Sequence, residues 1–536
     1  MEVKSVALED TVLHYSRSNV GSTSYVLWEY GHSISHRVEV SRTQPHSHLR
    51  WNWWSPSPHA CELCLFYSYN KRGRMAPGSY GPRPTMESIR HHVSRWSQQD
   101  LSTLAKTALV RLPRAVPMNA LRITSREGPQ PFRLDLPSRQ SGRTIPLYVF
   151  IPPTTFPSLE SGELSPEPGS FPVVMDYHGG GFYLGSCLEQ APFCARLCRE
   201  LKAVVISVDY RMAPLDKFPA AIEDADDAVR ALLDPTYTPG YSALRQGIAE
   251  FFRAHWFAEL QAKATKDERR ADRVPMPPPV EIILDTTKIA FSGASSGGNI
   301  ALNVGMHVPA DLGLPDWPSP IPRDYPHPLP LLLLYPALDL RQLPSERTRH
   351  ERMPAVKPRK PGKQSLDDHL ASTYVSRELA AHGRASPGLL DVATQLHPRA
   401  KMLLILSGLD TLWEQSEAWD AKVRAEGRGA DLKTMRYADR KHGWTTIPEV
   451  ALSKEERRTR LEVLDECVKF TSLTWAGRDA VGVMEREDGD TVNAQGKEKA
   501  SFEQARVDQE GDEVSVDSRD GEESEGRDEN VHPVTV

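Results

Sequence analysis

Cysteine is scarce: six residues in a 536-residue chain, too few and too scattered for the cross-linked framework of a small secreted domain. Cys194 and Cys198 lie four apart in a helix-like run with Leu197 and Leu201, which suits small core residues. Cys61 and Cys64 form a lone C-x-x-C pair with no second pair at a zinc-binding spacing, so reduced thiols are expected there. No long apolar run is present either. The longest, around Leu329–Leu340, is about half of the roughly 20 residues that cross a bilayer. The opening MEVKSVALEDTVLHYSR has no apolar stretch of the signal-peptide kind, so the expected location is cytoplasmic, with no transmembrane segment. Charge of one sign is also missing. With 65 basic and 71 acidic residues the net charge is -6, which gives no reason to expect nucleic acid as a partner.

What is present divides into three parts. Residues 1–84 are rich in Ser, His, Trp, Arg and Tyr and hold no sustained period of 2 or 3.6, so they are expected to form an irregular extension. Residues 85–476 alternate between strand and helix patterns. Helical spacing runs from 85 to 118 through Ile89, Val93, Trp96, Leu101, Leu104 and Leu109. Strands are expected at 145–151, 172–177, 203–208, 288–291, 331–334, 402–406 and 432–437, with helices between most of them and a closing helix at 455–475. Such alternation implies an α/β fold with a mostly parallel central sheet flanked by helices. The uninterrupted runs LPLLLLY and KMLLIL suit strands buried on both faces. Inserts at 234–280 and 341–395 break the alternation, the second with a helix near 367–379, and are expected with 85–118 to build a helical cap. Residues 477–536 carry 18 acidic and 7 basic side chains and few apolar ones, and are expected to form a disordered acidic tail.

Four short stretches carry chemistry. Gly293-Ala-Ser295-Ser296-Gly297 follows a strand and precedes a helix. A G-x-S-x-G pattern arises by chance roughly 0.2 times in a chain this long. In a strand–turn–helix setting it is a nucleophile elbow, in which small neighbours let a serine stand exposed at the strand end. His178-Gly179-Gly180-Gly181-Phe182 follows an earlier strand, and its glycines bare backbone N–H groups of the kind that hold a developing oxyanion. His442, in RYADRKHGW, comes last in the order serine, acid, histidine and is the candidate base. Asp410, in SGLDTL, is the preferred acid to fix the imidazole tautomer, and Asp339, in YPALD one strand earlier, is the rival.

These motifs, with Asp209-Tyr-Arg-Met-Ala-Pro214, Phe218-Pro-Ala-Ala221, Asp224, Ser386-Pro387 and HGW at 442–444, resemble the hormone-sensitive-lipase-like branch of the α/β hydrolases over about residues 85–475. The resemblance implies the α/β-hydrolase fold, a cap over an acyl pocket, and oxyanion donors from the backbone of Gly180, Gly181 and Ser296. It implies a carboxylic ester hydrolase acting on small or medium acyl esters, with no metal or other cofactor. Three departures stand out: Ala294 and Ser296 replace the usual Asp and Ala beside the nucleophile, Leu215 replaces a Glu, and the inserts are large. A deacetylase or amidase acting on a small natural product would use the same triad. A non-catalytic receptor on this scaffold is the alternative from another class.

Overall fold

The structure is a computed structural model. It describes residues 2–8, 11–17, 23–29, 38–40, 79–80, 100–112, 116–153, 169–264, 277, 282–354 and 364–481. The helical pattern at 85–99, the Cys61/Cys64 pair and the acidic tail beyond residue 481 lie outside the described residues. The chain divides into two compact units, Met1–Ala76 and Pro77–Val536.

The first unit corrects the expectation of an irregular extension. Strands β1 (Glu2–Leu8), β2 (Thr11–Arg17), β3 (Thr23–Glu29) and β4 (Val38–Val40) form an antiparallel meander, with Glu2 opposite Arg17 and Thr11 opposite Glu29. Pairing between neighbouring strands supplies an order that a one-dimensional period does not reveal, because these strands are short and their apolar alternation is broken.

The second unit is built on one sheet. Its strands are β5 (Ser79–Tyr80), β6 (Phe132–Pro137), β7 (Thr144–Phe150), β8 (Gly169–Tyr177), β9 (Val204–Val208), β10 (Ile282–Ala294), β11 (Leu329–Leu334), β12 (Ala400–Leu409) and β13 (Leu432–Lys441). The spatial order is β13-β12-β11-β10-β8-β9-β7-β6-β5, and only β7 runs antiparallel to its neighbours. Among the described residues the same unit holds, apart from short turns, helices α1 (Leu101–Arg111), α2 (Ala191–Leu201), α3 (Ala220–Leu233), α4 (Gly240–Ala264), α5 (Ser296–Asn303), α6 (Leu366–Tyr374), α7 (Trp413–Ala425) and α8 (Lys454–Trp475). None of the described helices is long and apolar enough to cross a membrane.

Both faces of the sheet are covered, as the unbroken apolar strands require. On β11, Leu329, Leu331 and Leu333 enter one core and Leu332 and Leu334 the other. On β12, Met402, Leu404 and Leu406 alternate with Leu403 and Ile405 in the same way. The first core is closed by α3, α4, α5 and α7, and the second by α2 and α8. This two-sided burial is the main stabilising term, because each fully covered aliphatic side chain contributes about 1.5–3 kcal/mol.

The described part of the insert at 234–280 lies away from the expected cap. Its helix α4 turns Leu244, Ile248, Phe252, Trp256 and Leu260 into the first core. Phe251 stacks on Phe132 of β6 at 3.8 Å, and Phe252 meets Phe171 near the amino end of β8. The catalytic motifs lie at the opposite, carboxyl ends of the strands. An apolar stripe five residues deep is more stable against the sheet than above an open pocket, which explains the difference. The helices α1 and α6 come from the other two segments and meet where Thr103 Oγ1 lies 3.0 Å from His369 Nε2.

Trp256→Ala should therefore destabilise the protein by about 3–5 kcal/mol, the usual cost of emptying an aromatic site in a core. Urea denaturation checks the size of the loss. Preference among substrates of different acyl length should not change, as it would if α4 lined the site.

Candidate active site

Two neighbouring parallel strands deliver the two glycine-rich motifs to one place. Gly293 of β10 lies in register with Tyr177 of β8, so the serine turn and the 178–182 loop leave the sheet side by side. The turn itself is strained, with Ser295 at φ 55° and ψ −116°, outside the regions that L-residues favour. Three backbone bonds hold it: Ser295 N–H to Leu334 O at 2.8 Å, Ala337 N–H to Ser295 O at 3.0 Å, and Asn299 N–H to Ser295 O at 3.1 Å. The Asn299 amide braces the next loops by donating to Ala337 O at 2.7 Å and Ala385 O at 2.9 Å. Gly297 is required here, since a Cβ would stand 1.9 Å from Tyr177 O.

The structure brings Ser295, His442 and Asp410 together. His442 Nε2 lies 3.0 Å from Ser295 Oγ, and His442 Nδ1 lies 2.5 Å from Asp410 Oδ2. The other carboxylate oxygen of Asp410 accepts Leu412 N–H at 2.9 Å, which fixes its plane. Asp410 is buried and His442 half-exposed. Tyr335, at the end of β11, sets its ring edge-on to the imidazole at 5.1 Å, and its hydroxyl is hydrogen-bonded to Thr445. The rival acid Asp339 is occupied elsewhere: both its oxygens face Arg341, at 2.7 Å for the closest contact. That pair holds the Asp339 carboxyl below the usual range against the opposing effect of burial.

The 178–182 loop is held by side chains that carry no motif of their own. Gly179 N–H donates to Gln190 Oε1 at 2.9 Å. This corrects the inclusion of Gly179 among the oxyanion donors, because its one N–H is already spent. The N–H groups of Gly180, Gly181 and Ser296 have no acceptor among the described residues. Gly180 adopts φ 134°, and a Cβ there would stand 1.7 Å from Leu184 O, so only glycine fits. His178 does not face Ser295. Its ring stacks on Tyr210 at 4.3 Å, its Nδ1 lies 2.9 Å from Gly179 O, and Tyr210 Oη donates to His178 O at 2.7 Å.

Beneath the loop sits Asp176, fully buried at the end of β8. It accepts from Ser292 at 2.7 Å, from Ser207 at 2.9 Å, and from the Gln190 amide and the Cys194 thiol at 3.2 Å. Burial pushes its carboxyl above the usual range, against the pull of those donors. A chain of hydrogen bonds thus runs from Asp176 through Gln190 to Gly179. Sequence reasoning missed both Asp176 and Gln190. The available signal was a charged residue closing the apolar strand PVVMDY, which is rare unless the charge has partners. Donors able to ligate a metal converge among the described residues at His178, Cys187 and Asp209, within 4.8 Å of one another. Burial pushes the Cys187 thiol up, which favours its protonated, non-ligating form.

Comparison with known proteins fits this geometry. Over shorter stretches the chain is similar to an AB hydrolase superfamily protein of Schizosaccharomyces pombe (36% identity over 16% of this chain and 22% of that one). It is similar to Carboxylesterase 20 of Arabidopsis thaliana (29%, over 32% and 39%) and to the carboxylic ester hydrolase LipN of Mycobacterium tuberculosis (26%, over 50% and 56%). The chain therefore spans between about a fifth and just over half the length of these curated relatives. The model of the family described as alpha/beta hydrolase fold matches residues 174–446, just over half of the chain and the whole stretch from the oxyanion loop to the histidine. On that match and on the sheet that carries it, the chain belongs to the α/β-hydrolase family.

Proposed function

We propose that this chain is a carboxylic ester hydrolase for small or medium acyl esters, with Ser295 as nucleophile, His442 as base and Asp410 as its orienting acid. One observation carries the reading: a single imidazole lies within hydrogen-bond distance of both the serine hydroxyl and the buried carboxylate. Relatives named for carboxylic ester hydrolysis support it.

The chemistry follows from the positions. With Asp410 accepting from Nδ1, the neutral imidazole presents a lone pair at Nε2 to Ser295 Oγ. As Oγ attacks the ester carbonyl carbon, its proton passes to Nε2 and the carbonyl π-electrons move onto oxygen. The unspent N–H groups of Gly180, Gly181 and Ser296 hold that oxyanion. Collapse re-forms the carbonyl and breaks the bond to the alcohol oxygen, which leaves with the proton from Nε2. Water then enters, loses a proton to the same nitrogen and attacks the acyl-enzyme. The second collapse frees the acid and returns the proton to Oγ.

Gln190 acts as a positioning residue. By taking the N–H of Gly179 it fixes the loop that presents the next two amides, while Asp176 orients Gln190 from below. The cap is assigned to α1 and α6. Arg111 of α1 donates to Tyr183 O and Ala213 O, both at 2.8 Å. Tyr374 of α6 stacks on Phe182 at 4.1 Å, which ties both helices to the oxyanion loop.

Ser295→Ala should abolish both aryl-ester turnover and covalent labelling by a fluorophosphonate probe, and His442→Ala should come close to the same result. Turnover by the folded Ser295→Ala protein at the parent rate would sink the reading. Asp410→Asn should lower kcat on the order of 10⁴-fold by allowing the wrong imidazole tautomer. Asp339→Asn loses a partly exposed ion pair worth at most about 1 kcal/mol and should keep most of the activity. The reverse ranking would move the acid to Asp339. Gln190→Leu should lower kcat by about 10- to 100-fold with KM little changed, because misplaced donors weaken transition-state binding alone. A change confined to KM would remove Gln190 from this role.

A further inference from the structure

We propose that Arg347 forms an anion-binding subsite beside the Ser295 centre, selecting esters that carry a free carboxylate. The proposal rests on the hydrolase reading for the identity of the ligand as an ester, and on separate observations for the subsite.

Residues 338–352 form a strap anchored at both ends on the elements that deliver the triad. At one end the N–H groups of Leu338 and Asp339 donate to Gln415 Oε1 at 2.7 and 2.8 Å. Gln415 lies on α7, which begins just after Asp410. At the other end Arg352 pairs with Asp439 at 2.6 Å and donates to Ala438 O at 3.1 Å. Those two residues lie on β13, four and three residues before His442. Midway, Ser345 N–H donates to Asp368 Oδ1 at 2.9 Å and Glu346 pairs with Arg377. Arg347 follows directly, held between the anchors.

The other arginines of the strap are engaged. Arg341 pairs with Asp339, Arg349 donates to Pro354 O, and Arg352 pairs with Asp439. Arg347 makes no hydrogen bond or ion pair among the described residues, and its Nε is buried without a partner. The carboxylates near it are already committed. Asp410 faces His442 and Leu412, Asp339 faces Arg341, and Asp368 accepts from Ser345. Burial pulls the Arg347 guanidinium below its ordinary range. Asp410, Tyr183, Asp339 and Asp368, in that order, act against that pull, so the group lies in the field of both the candidate acid and the oxyanion loop. An arginine remains protonated under any folding condition.

The buried Nε of this half-buried guanidinium is a costly donor to leave unpaired unless a ligand accepts from it. Its planar fork matches a carboxylate, which can accept two parallel N–H bonds. A mono-ester of a short dicarboxylic acid presents such a group a few bonds from its reacting carbonyl.

The test compares monoethyl glutarate with ethyl pentanoate, which share chain length and differ in a terminal carboxylate against a methyl group. Arg347→Met should lower the ratio of kcat/KM for the anionic ester over the neutral one at least about tenfold, through KM for the anionic ester, as loss of a charge-assisted pair requires. An unchanged ratio, whether or not both rates fall, overturns the subsite. A second arm does not depend on turnover. In the Ser295→Ala protein, calorimetric affinity for monoethyl glutarate should fall at least about tenfold when Arg347→Met is added. Equal affinity overturns the subsite. If the affinity falls but the wild-type enzyme hydrolyses neither ester, the hydrolase reading fails and the subsite stands.

Discussion

The close approach of β8, β10 and α5 around Ser295 is the constraint from which the rest of the site follows. Two parallel strands end at the same level, and the helix that begins at Ser296 must start against the carbonyl of Tyr177. Only a missing side chain at 297 allows that contact. The contact forces the serine into an unfavourable backbone conformation, and hydrogen bonds with the end of β11, the loop just after it and the first turn of α5 hold it there. The same geometry sets Ser296 N–H beside the loop that offers the amides of Gly180 and Gly181. The position of the serine and that of the three unspent amides are thus products of one packing event.

Burial of polar groups makes that packing specific. Asp176 is out of water and joins β8, β9, β10 and α2 through Ser292, Ser207, Gln190 and Cys194. An apolar residue there would leave several donors without an acceptor, which costs about 1–3 kcal/mol each. The carboxylate therefore does two things. It ties together the strands that carry the site, and through Gln190 it holds the 178–182 loop. His178 and Tyr210 add a stacked pair on the same loop, so the most conspicuous residue of the HGGGF motif acts on the loop backbone, with its ring turned away from the serine.

Long insertions in this fold have unequal fates. The one that carries α4 covers the sheet, because its apolar stripe of five residues is continuous from Leu244 to Leu260. The one after β11 shows no such stripe among the described residues, and polar anchors bind it across the ends of the strands, close to Asp410 and His442.

Much of the unit beyond residue 77 was legible in the sequence. Apolar runs such as LPLLLLY marked strands buried on both faces, and G-x-S-x-G, HGGGF, SGLDTL and the late HGW marked their ends, because tight turns and exposed donors demand particular residues at particular offsets. The strands of the first unit, the strand FRLDLP and the placement of α4 were not legible, since pairing and packing partners lie far away in the chain. Which of Asp410 and Asp339 faces the imidazole was not legible either. Both close a parallel strand in a similar motif, and only the facing of one toward His442 and of the other toward Arg341 separates them. The withdrawal of Gly179 from the oxyanion donors came from a glutamine eleven residues away. The sequence by itself determined which residues are chemically able to act. The tertiary structure decided which of them meet, because hydrogen bonds of about 3 Å between distant segments depend on how the whole sheet and its helices pack.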